Sequence, residues 1–248
     1  MTFHDHFSDR AASYARFRPT YPDALFAWLA GASPARTLAW DAGTGSGQAA
    51  IGLAAHFARV VATDPSAAQL AEARVHPVIE YREGVEGVSG LEPASADLVT
   101  AAQALHWFDL QAFYREVSRV LRPGGLLAIW CYGLHRVTPE IDRIFDRFYG
   151  ETVGPWWPPE RVEVETGYSR LPFPYPETTV PAFAITAPLD MHGLLAYVGT
   201  WSAVKRKQAA TGTDPMEELR RDLPRSWGDP AVVREVRWPL SVRAGYAR

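Results

Sequence analysis

The stretch AWDAGTGSGQAA, residues 39 to 50, decides the fold. Its apolar start leads into glycines at positions 43, 45 and 47, and an apolar segment follows the loop. A glycine loop between a strand and a helix is typical of nucleotide-binding α/β proteins, because glycine lets the backbone turn close to a ligand. A dinucleotide fingerprint needs a further glycine at position 48, where this chain has Gln48. Other residues must therefore identify the ligand.

The composition limits the class of protein. The 248 residues, 47% hydrophobic and 21% charged, suit one globular α/β domain with a modest insertion. The polar opening MTFHDHFSDR predicts no signal peptide. No apolar run approaches the ~20 residues of a membrane span. We therefore expect a cytoplasmic protein that does not bind membranes.

The net charge and the cysteine content limit the kinds of partner and metal site that we expect. The net charge is -3, so no overall positive field favours nucleic acid, and we expect a small-molecule partner. The single cysteine, Cys131, excludes internal disulfides and cysteine-based metal clusters, and its apolar surroundings predict a buried strand residue. We expect no metal site. The sequence leaves the oligomeric state open.

Alternating apolar segments predict a repeated order of strands and helices. The periodicity predicts helices at 22–32, 48–57, 66–74, 110–121, 191–208 and 215–223. It predicts strands within 36–43, 59–64 and 78–84, from residue 96, at 126–133 and 182–187, and within 232–248, with a turn at RPGG, 122–125. The expected fold is α/β, a doubly wound and mostly parallel seven-stranded sheet with helices on both faces. Ligands of such sheets bind at the carboxyl ends of the strands.

Changes in composition divide the chain, taken as one domain over residues 1–248. The parts are an N-terminal cap with the first helix, a cofactor-binding core, an insertion after the fifth strand, and C-terminal helices with the last strands: 1–35, 36–135, 136–181 and 182–248. The insertion is rich in proline and aromatic residues, which predicts a lid or wall that lines the substrate, or a surface excursion packed by its own aromatics. Pro239 is expected to kink the final strand or to lie at a sheet edge.

Two aspartates lie at the ends of predicted strands. Asp41 precedes Gly43 by two residues, and a carboxylate there would repel a pyrophosphate but suit a cationic ammonium or sulfonium group. Asp64 follows Gly43 by 21 residues and could accept hydrogen bonds from both ribose hydroxyls of an adenosine. Asp64 would serve a nicotinamide dinucleotide equally well. Asp41 therefore favours S-adenosylmethionine as the ligand.

Taken together, these motifs resemble the class I S-adenosylmethionine-dependent methyltransferases, in the small-molecule branch that includes trans-aconitate methyltransferase. The resemblance rests on YARFRPTYP (14–22), DAGTGSGQAA, VVATDPSAAQL, AAQALHWFD and RVLRPGG, and also on TWSAVKRKQAATGTDP (200–215). It implies the Rossmann-like methyltransferase fold and S-adenosyl-L-methionine as cofactor. The motifs specify the class well and the methyl acceptor poorly.

The resemblance also implies the cofactor-binding residues. Asp41, Gly43, Thr44 and Gly45 would frame the methionine, and Asp64 would take the ribose. Val85 and Glu86 would lie beside the adenine, Gln103 under the sulfonium, and Tyr14 and Arg18 would close over the methionine and pair with its carboxylate.

Four residues are candidates for the acceptor side of the site. His106 is the candidate general base, or a histidine that bonds the backbone and orients its loop. Trp107 could form an apolar wall, although core packing predicts it equally well. Trp201 and Lys205 would share one face of the predicted distal helix. The run KRK at 205–207 is also typical of a solvated face.

The sequence thus predicts an S-adenosylmethionine-dependent methyltransferase of a small molecule, acting at oxygen and plausibly at a carboxylate. Methyl transfer needs alignment of the reacting atoms and exclusion of water, and a base only if the acceptor carries a proton. Two alternatives stay open: a nicotinamide-dependent oxidoreductase on a similar sheet, and a cofactor-binding protein without catalytic turnover.

Overall fold

The computed structural model describes residues 20–248. Tyr14 and Arg18, predicted to contact the cofactor, lie outside the described residues. The strands are β1 (Leu38–Ala42), β2 (Arg59–Asp64), β3 (Ile79–Glu83), β4 (Ala96–Ala102), β5 (Leu121–Tyr132), β6 (Phe183–Leu189) and β7 (Arg234–Tyr246). The α-helices are α1 (Asp23–Ala32), α2 (Gln48–Ala54), α3 (Ala67–Ala71), α4 (Leu110–Val120), α5 (Pro139–Arg147), α6 (Arg161–Glu165), α7 (Met191–Gly199), α8 (Ser202–Thr211) and α9 (Met216–Trp227).

The strands form one sheet in the order β3-β2-β1-β4-β5-β7-β6. Strand β7 runs antiparallel to both of its neighbours, and the other neighbouring pairs are parallel. The predicted mostly parallel, seven-stranded α/β fold is confirmed. The strand order reverses between β1 and β4, so the carboxyl ends of these two strands border the crevice where ligands of such sheets bind.

Buried side chains form a core on each face of this sheet. One cluster joins α1 and α2 to the sheet and includes Leu25, Leu53 and Trp130. The other lies under α4 and includes Trp40 and Phe113. Because helices cover both faces, β1 is buried along its whole length. This explains why the central strands are continuous apolar runs in the sequence.

A buried carboxylate fixes the start of β1 against β4. Asp97 accepts a hydrogen bond from the backbone N–H of Thr37 at 2.7 Å, and Arg122 forms an ion pair with it at 2.9 Å. The two strands then run in parallel register, which brings Asp41 opposite Thr100 at the other end. The position of Asp41 is therefore set from both ends of β1.

The prediction of one helix over 191–208 is wrong, because α7 and α8 are separate helices. The break falls at Thr200 and Trp201, and Trp201 has φ -60° and ψ 137°. Its ring lies 6.1 Å from the rings of both His135 and Tyr197. Tertiary packing of this large side chain overrides the local helix propensity.

The segment RPGG differs from its prediction, and the insertion contains helices that the sequence analysis did not predict. RPGG (122–125) lies inside β5, where the register with β4 shifts between Ala96 and Leu98, so the predicted turn is a bulge. The insertion 136–181 contains α5 and α6 together with short helical turns over 148–152 and 154–156. Pro139 begins a helix, because it occupies the first turn of α5 behind the capping residue Thr138.

Pro239 lies where β7 has a sheet neighbour on one side only. It pairs with Ala184 of β6, whereas the pairing of β7 with β5 ends at Leu240 and Tyr132. The missing N–H of proline is tolerated at such a local edge. This agrees with the expected edge position.

Candidate functional site

The glycine loop after β1 packs against the segment that follows β4. Gly43 has φ +67°, and a Cβ there would lie 2.7 Å from the Cβ of Ala104 and 2.9 Å from Cζ of Phe108. At Gly45, with φ +56°, the nearest described atom to an added Cβ is Oε1 of Gln69, at 3.8 Å. Among the described residues, the loop is closed on the Gly43 side and open on the Gly45 side.

Asp41 lies fully buried beneath this loop. Its Oδ2 accepts a hydrogen bond from Oγ1 of Thr44 at 2.6 Å, and its Oδ1 accepts one from Oγ1 of Thr100 at 2.7 Å. Burial raises the pKa of Asp41 to about 6, and the nearby charge of Asp64 adds to the effect, while the two hydroxyls oppose it. The loop therefore covers a carboxylate that changes its charge near pH 6.

Asp64 joins the glycine loop to the end of β2. Its Oδ2 accepts a hydrogen bond from the backbone N–H of Gly45 at 2.8 Å, and its Oδ1 accepts one from that of Ser66 at 2.9 Å. Ser66 in turn caps α3, as expected. The carboxylate of Asp64 thus lies beside the open side of the loop, and its contact with a ribose stays a prediction.

Gln103 follows β4 in a left-handed conformation, with φ +56°. Its side-chain amide forms hydrogen bonds with both the backbone C=O and the backbone N–H of Tyr132, at 3.3 and 2.9 Å. Gln103 therefore fastens the end of β4 to the end of β5. Non-glycine residues with positive φ are found at functional sites, but contact of Gln103 with the sulfonium stays a prediction.

Val85 and Glu86 occupy the loop after β3. The side chain of Val85 is half exposed, which leaves it available to a flat ligand. Glu86 Oε1 accepts a hydrogen bond from the backbone N–H of Asp109 at 2.7 Å, and so ties this loop to the start of α4. Their proposed place beside the adenine stays a prediction.

His106 lies in the short helical turn 105–107 after β4. Its Nδ1 is hydrogen-bonded to the hydroxyl of Tyr168 at 2.8 Å, so only Nε2 can face a bound molecule. Burial and, to a smaller extent, the positive charge of Arg161 lower the pKa of His106 to about 3. Burial also raises the pKa of Tyr168. The imidazole is therefore neutral at physiological pH and a weak base.

The two aromatic residues after His106 differ in their surroundings. Trp107 is 38% exposed and its ring lies 4.8 Å from that of His106. Phe108 packs on Phe113, at 5.0 Å between ring centroids, and against Gly43. Trp107 is thus the one of the pair that reaches the surface, and Phe108 supports the loop.

Trp201 belongs to a cluster of aromatic rings between the insertion and α8. Its ring lies within 6.4 Å of the rings of His135, Phe148, Tyr149, Trp157 and Tyr197. Lys205 is one turn further along, and its backbone N–H donates to the C=O of Trp201. The predicted shared face is therefore present, and substrate contact by either residue stays a prediction.

Four residues of this region were missed by the sequence analysis. Thr100 was detectable as a polar residue within an apolar strand. Tyr168 and Arg161 lie in the insertion, whose position depends on tertiary packing. His135 is fully buried after β5, and neither of its ring nitrogens has a hydrogen-bond partner among the described residues.

The residues around the loop fit S-adenosyl-L-methionine. Asp41 places a buried carboxylate at the end of β1, which suits a cationic ligand and opposes a pyrophosphate, and Asp64 places a second carboxylate at the end of β2. The side of the loop at Gly45 carries no side chain, so an adenosyl group could approach the backbone there. Among residues 20–248, no three His, Cys, Asp or Glu side chains are grouped closely enough to hold a metal ion. No helix in that range is long and apolar enough to cross a membrane.

Comparison with known proteins gives the same result. Residues 40–129 match the methyltransferase domain family. A protein of Dictyostelium discoideum that is named as a methyltransferase is 33% identical over 246 residues, covering 96% of this chain and 93% of its own. An uncharacterized methyltransferase of Mycobacterium tuberculosis is 32% identical over 220 residues, covering 88% and 85%. The solved structure of a protein from Anaeromyxobacter dehalogenans, described as a type II methyltransferase, is 49% identical with a TM-score of 0.89, covering 93% and 98%.

The chain therefore belongs to the class I S-adenosylmethionine-dependent methyltransferases. It is an enzyme of that class with S-adenosyl-L-methionine as cofactor, and the alternative of a nicotinamide-dependent oxidoreductase is therefore rejected. None of the three descriptions above names a methyl acceptor. The resemblance to the trans-aconitate branch accordingly stays a prediction.

Proposed function

We propose that this methyltransferase transfers the methyl group to an oxygen atom of a small organic acid. One observation carries the proposal: Nδ1 of His106, the candidate base next to the glycine loop, is already hydrogen-bonded to the hydroxyl of Tyr168 at 2.8 Å, and burial lowers the pKa of the imidazole to about 3. A hydroxyl or ammonium acceptor must lose a proton to a base of suitable pKa, whereas a carboxylate is already a nucleophile at neutral pH. The site therefore suits an acceptor that brings its own negative charge.

The cofactor supplies the electrophile when it is bound. Its methyl group is carried on a sulfonium, and transfer to a carboxylate oxygen leaves a methyl ester and S-adenosylhomocysteine without any proton transfer. The chain's own residues would then position the acid and exclude water. Trp107 and Trp201 are proposed to wall the acceptor, and Nε2 of His106 to hydrogen-bond it.

A small molecule is proposed as the acceptor rather than nucleic acid or lipid. The net charge of -3 gives no overall electrostatic attraction to nucleic acid or to an anionic lipid surface. A cytoplasmic location is part of the same proposal. It agrees with the single cysteine, Cys131, which is buried in β5 and forms no disulfide.

The experiment is methyl transfer with radiolabelled S-adenosylmethionine and a panel of organic acids, each paired with its alcohol and its amide. We expect label in a base-labile methyl ester from at least one acid, and none from the paired compounds. Label in an ether or an N-methyl product would overturn the choice of a carboxylate. Cofactor binding without methyl transfer to any acid of the panel would also count against an organic acid as the acceptor.

A further inference from the structure

Arg161, at the start of α6, presents an unusual guanidinium group beside the proposed acceptor site. Its Cζ lies 4.5 Å from the ring centroid of Trp157 and 5.5 Å from that of Tyr149. Its Nε donates a hydrogen bond to the hydroxyl of Tyr149 at 2.7 Å. Arg161 is therefore held in place by stacking on one side and by a hydrogen bond at one edge.

The remaining edge of this guanidinium has no partner among the described residues. The hydroxyl of Tyr149 donates to Oε1 of Glu165 at 2.6 Å, so the chain of hydrogen bonds continues away from Arg161. Among the described residues, neither Nη1 nor Nη2 of Arg161 forms a hydrogen bond or an ion pair. Arg147 and Arg243, in contrast, are each paired with carboxylates. A fixed guanidinium with both Nη atoms available matches the two oxygens of a carboxylate.

A second donor and a cavity accompany Arg161. The indole N–H of Trp157 is buried and has no acceptor among the described residues. A cavity of about 390 Å³ is bordered by Tyr149, Trp157, Pro158, Pro159, Arg161 and Glu165, among other residues. That size is within the range of small-molecule sites. Its rings and prolines offer apolar surface next to one cationic group.

The place of Arg161 in the fold links this cavity to the cofactor crevice. Helix α6 packs against the turn 105–107, which carries His106. The positive charge of Arg161 acts on His106, on Tyr168 and on Cys131 at the end of β5. A molecule bound to Arg161 would therefore lie next to the residues that follow β4 and β5.

We propose that Arg161 binds the carboxylate of the acceptor, and that the acceptor is a monoanionic acid with an aromatic or other planar apolar body. This inference rests on the proposed function and names its substrate class. The Nη atoms would take one lone pair from each carboxylate oxygen, and each oxygen keeps a second lone pair for reaction. The carboxylate of Glu165 is exposed and accepts a hydrogen bond from the Tyr149 hydroxyl, and its negative charge opposes a second acidic group on the ligand.

The test is calorimetric titration of the whole protein, saturated with S-adenosylhomocysteine, with three matched compounds: 3-phenylpropionate, its amide and phenylalanine. In the wild type we expect the acid to bind about tenfold or more tightly than the amide or phenylalanine, because only the acid matches one unpaired guanidinium. R161Q should lose about tenfold in affinity for the acid alone, and R161K should recover part of it. Affinity for S-adenosylhomocysteine should not change, which shows that R161Q is folded.

E165Q is a control that should change the affinity for the acid in the opposite direction. Removal of this exposed negative charge should strengthen binding of the acid by about twofold, since solvent screens the charge. Equal affinity of wild type and R161Q for the acid, equal binding of acid and amide, or no binding of the acid to the wild type would each overturn the proposal. Tighter binding of phenylalanine would instead assign the site to a zwitterion.

The two proposals fail in different ways. Binding that depends on Arg161, without methyl ester from any acid, would leave the binding site standing and reject the proposed acceptor atom. Ester formation at the same rate and KM in R161Q as in the wild type would support the proposed acceptor atom and reject Arg161 as its binding site.

Discussion

At the scale of single residues, Asp41 sets the charge beneath the glycine loop. Its carboxyl group has a folded-state pKa of about 6 against an ordinary value of 3.8. Because the folded state holds this proton more tightly than the unfolded state, the ionised form costs stability as the pH rises from 4 through 6. Two hydroxyl hydrogen bonds limit this cost. The benefit of the charge must come from the ligand.

Asp41→Asn should therefore separate stability from cofactor binding. At pH 7.5 we expect the free energy of unfolding of the variant to be about 1–3 kcal/mol higher than that of the wild type, because a buried charge is removed. We expect the variant to bind S-adenosylmethionine about tenfold more weakly, because the cationic cofactor loses its carboxylate partner. Wild-type affinity should fall between pH 7 and pH 5, and that of the variant should fall less. Calorimetry at the two pH values measures this, and parallel pH profiles would refute the role of Asp41.

His135 makes the opposite contribution to the pH dependence of stability. Burial, followed by the charge of Arg136, lowers its pKa from 6.5 to about 3. Below pH 6.5 the unfolded state binds a proton that the folded state does not, so stability falls as the pH drops through this range. The effect is about 1.4 kcal/mol per pH unit for one histidine.

His135→Leu should flatten the acid side of the stability profile. We expect the variant to be about 1–2 kcal/mol more stable at pH 7.5, because two buried nitrogens without partners are removed, and to lose less stability than the wild type between pH 6 and pH 4.5. Urea unfolding at several pH values is the measurement. His192→Leu, at an exposed position of α7, is the control. If His135→Leu and wild type lose stability in parallel, the burial of a neutral His135 is not the cause.

At the scale of elements, the loop after β1 depends on close contact with the segment after β4. Gly43→Ala would add both a strained positive φ and a clash with Ala104 and Phe108. Gly124→Ala adds only the strain of a positive φ, since no described atom lies within 4 Å of the added Cβ in the β5 bulge. We expect unfolding free energies lower by about 3 kcal/mol and about 1 kcal/mol respectively. Equal losses, measured by urea unfolding, would show that the loop is not tightly packed there.

The same elements show what the sequence could predict. Strands β1, β2, β4 and β5 could be predicted, because burial on both faces requires apolar runs, and the glycine loop could be predicted from its turn requirement. Strand β3 lies at the edge of the sheet and is only partly buried. The hydrogen bond between Asp41 and Thr100 of β4 could not be predicted. Thr100 is 59 residues away, and only the strand register brings the two residues together. The break at Trp201 and the role of Arg161 both depend on how the insertion packs. No local pattern encodes that packing.

At the scale of the whole molecule, the reversal of strand order between β1 and β4 assembles the site. It places the glycine loop, Asp64 and the turn with His106 along one edge of the sheet. The insertion and α8 approach from the side of β5 and β7, and bring Arg161 and Trp201 with them. The molecule thus combines two carboxylates beside the glycine loop with Arg161, the guanidinium that we propose binds an anionic acceptor.

We propose that this methyltransferase needs no general base, because its acceptor is already charged. The most direct measurement is the single-turnover rate of methyl transfer to the best acid substrate between pH 6.5 and pH 9, for wild type and His106→Asn. We predict a flat profile in both proteins and a loss of less than about tenfold in the variant, from a single hydrogen bond. A rate that rises tenfold per pH unit in the wild type, together with a loss of about 100-fold or more in His106→Asn, would contradict the account.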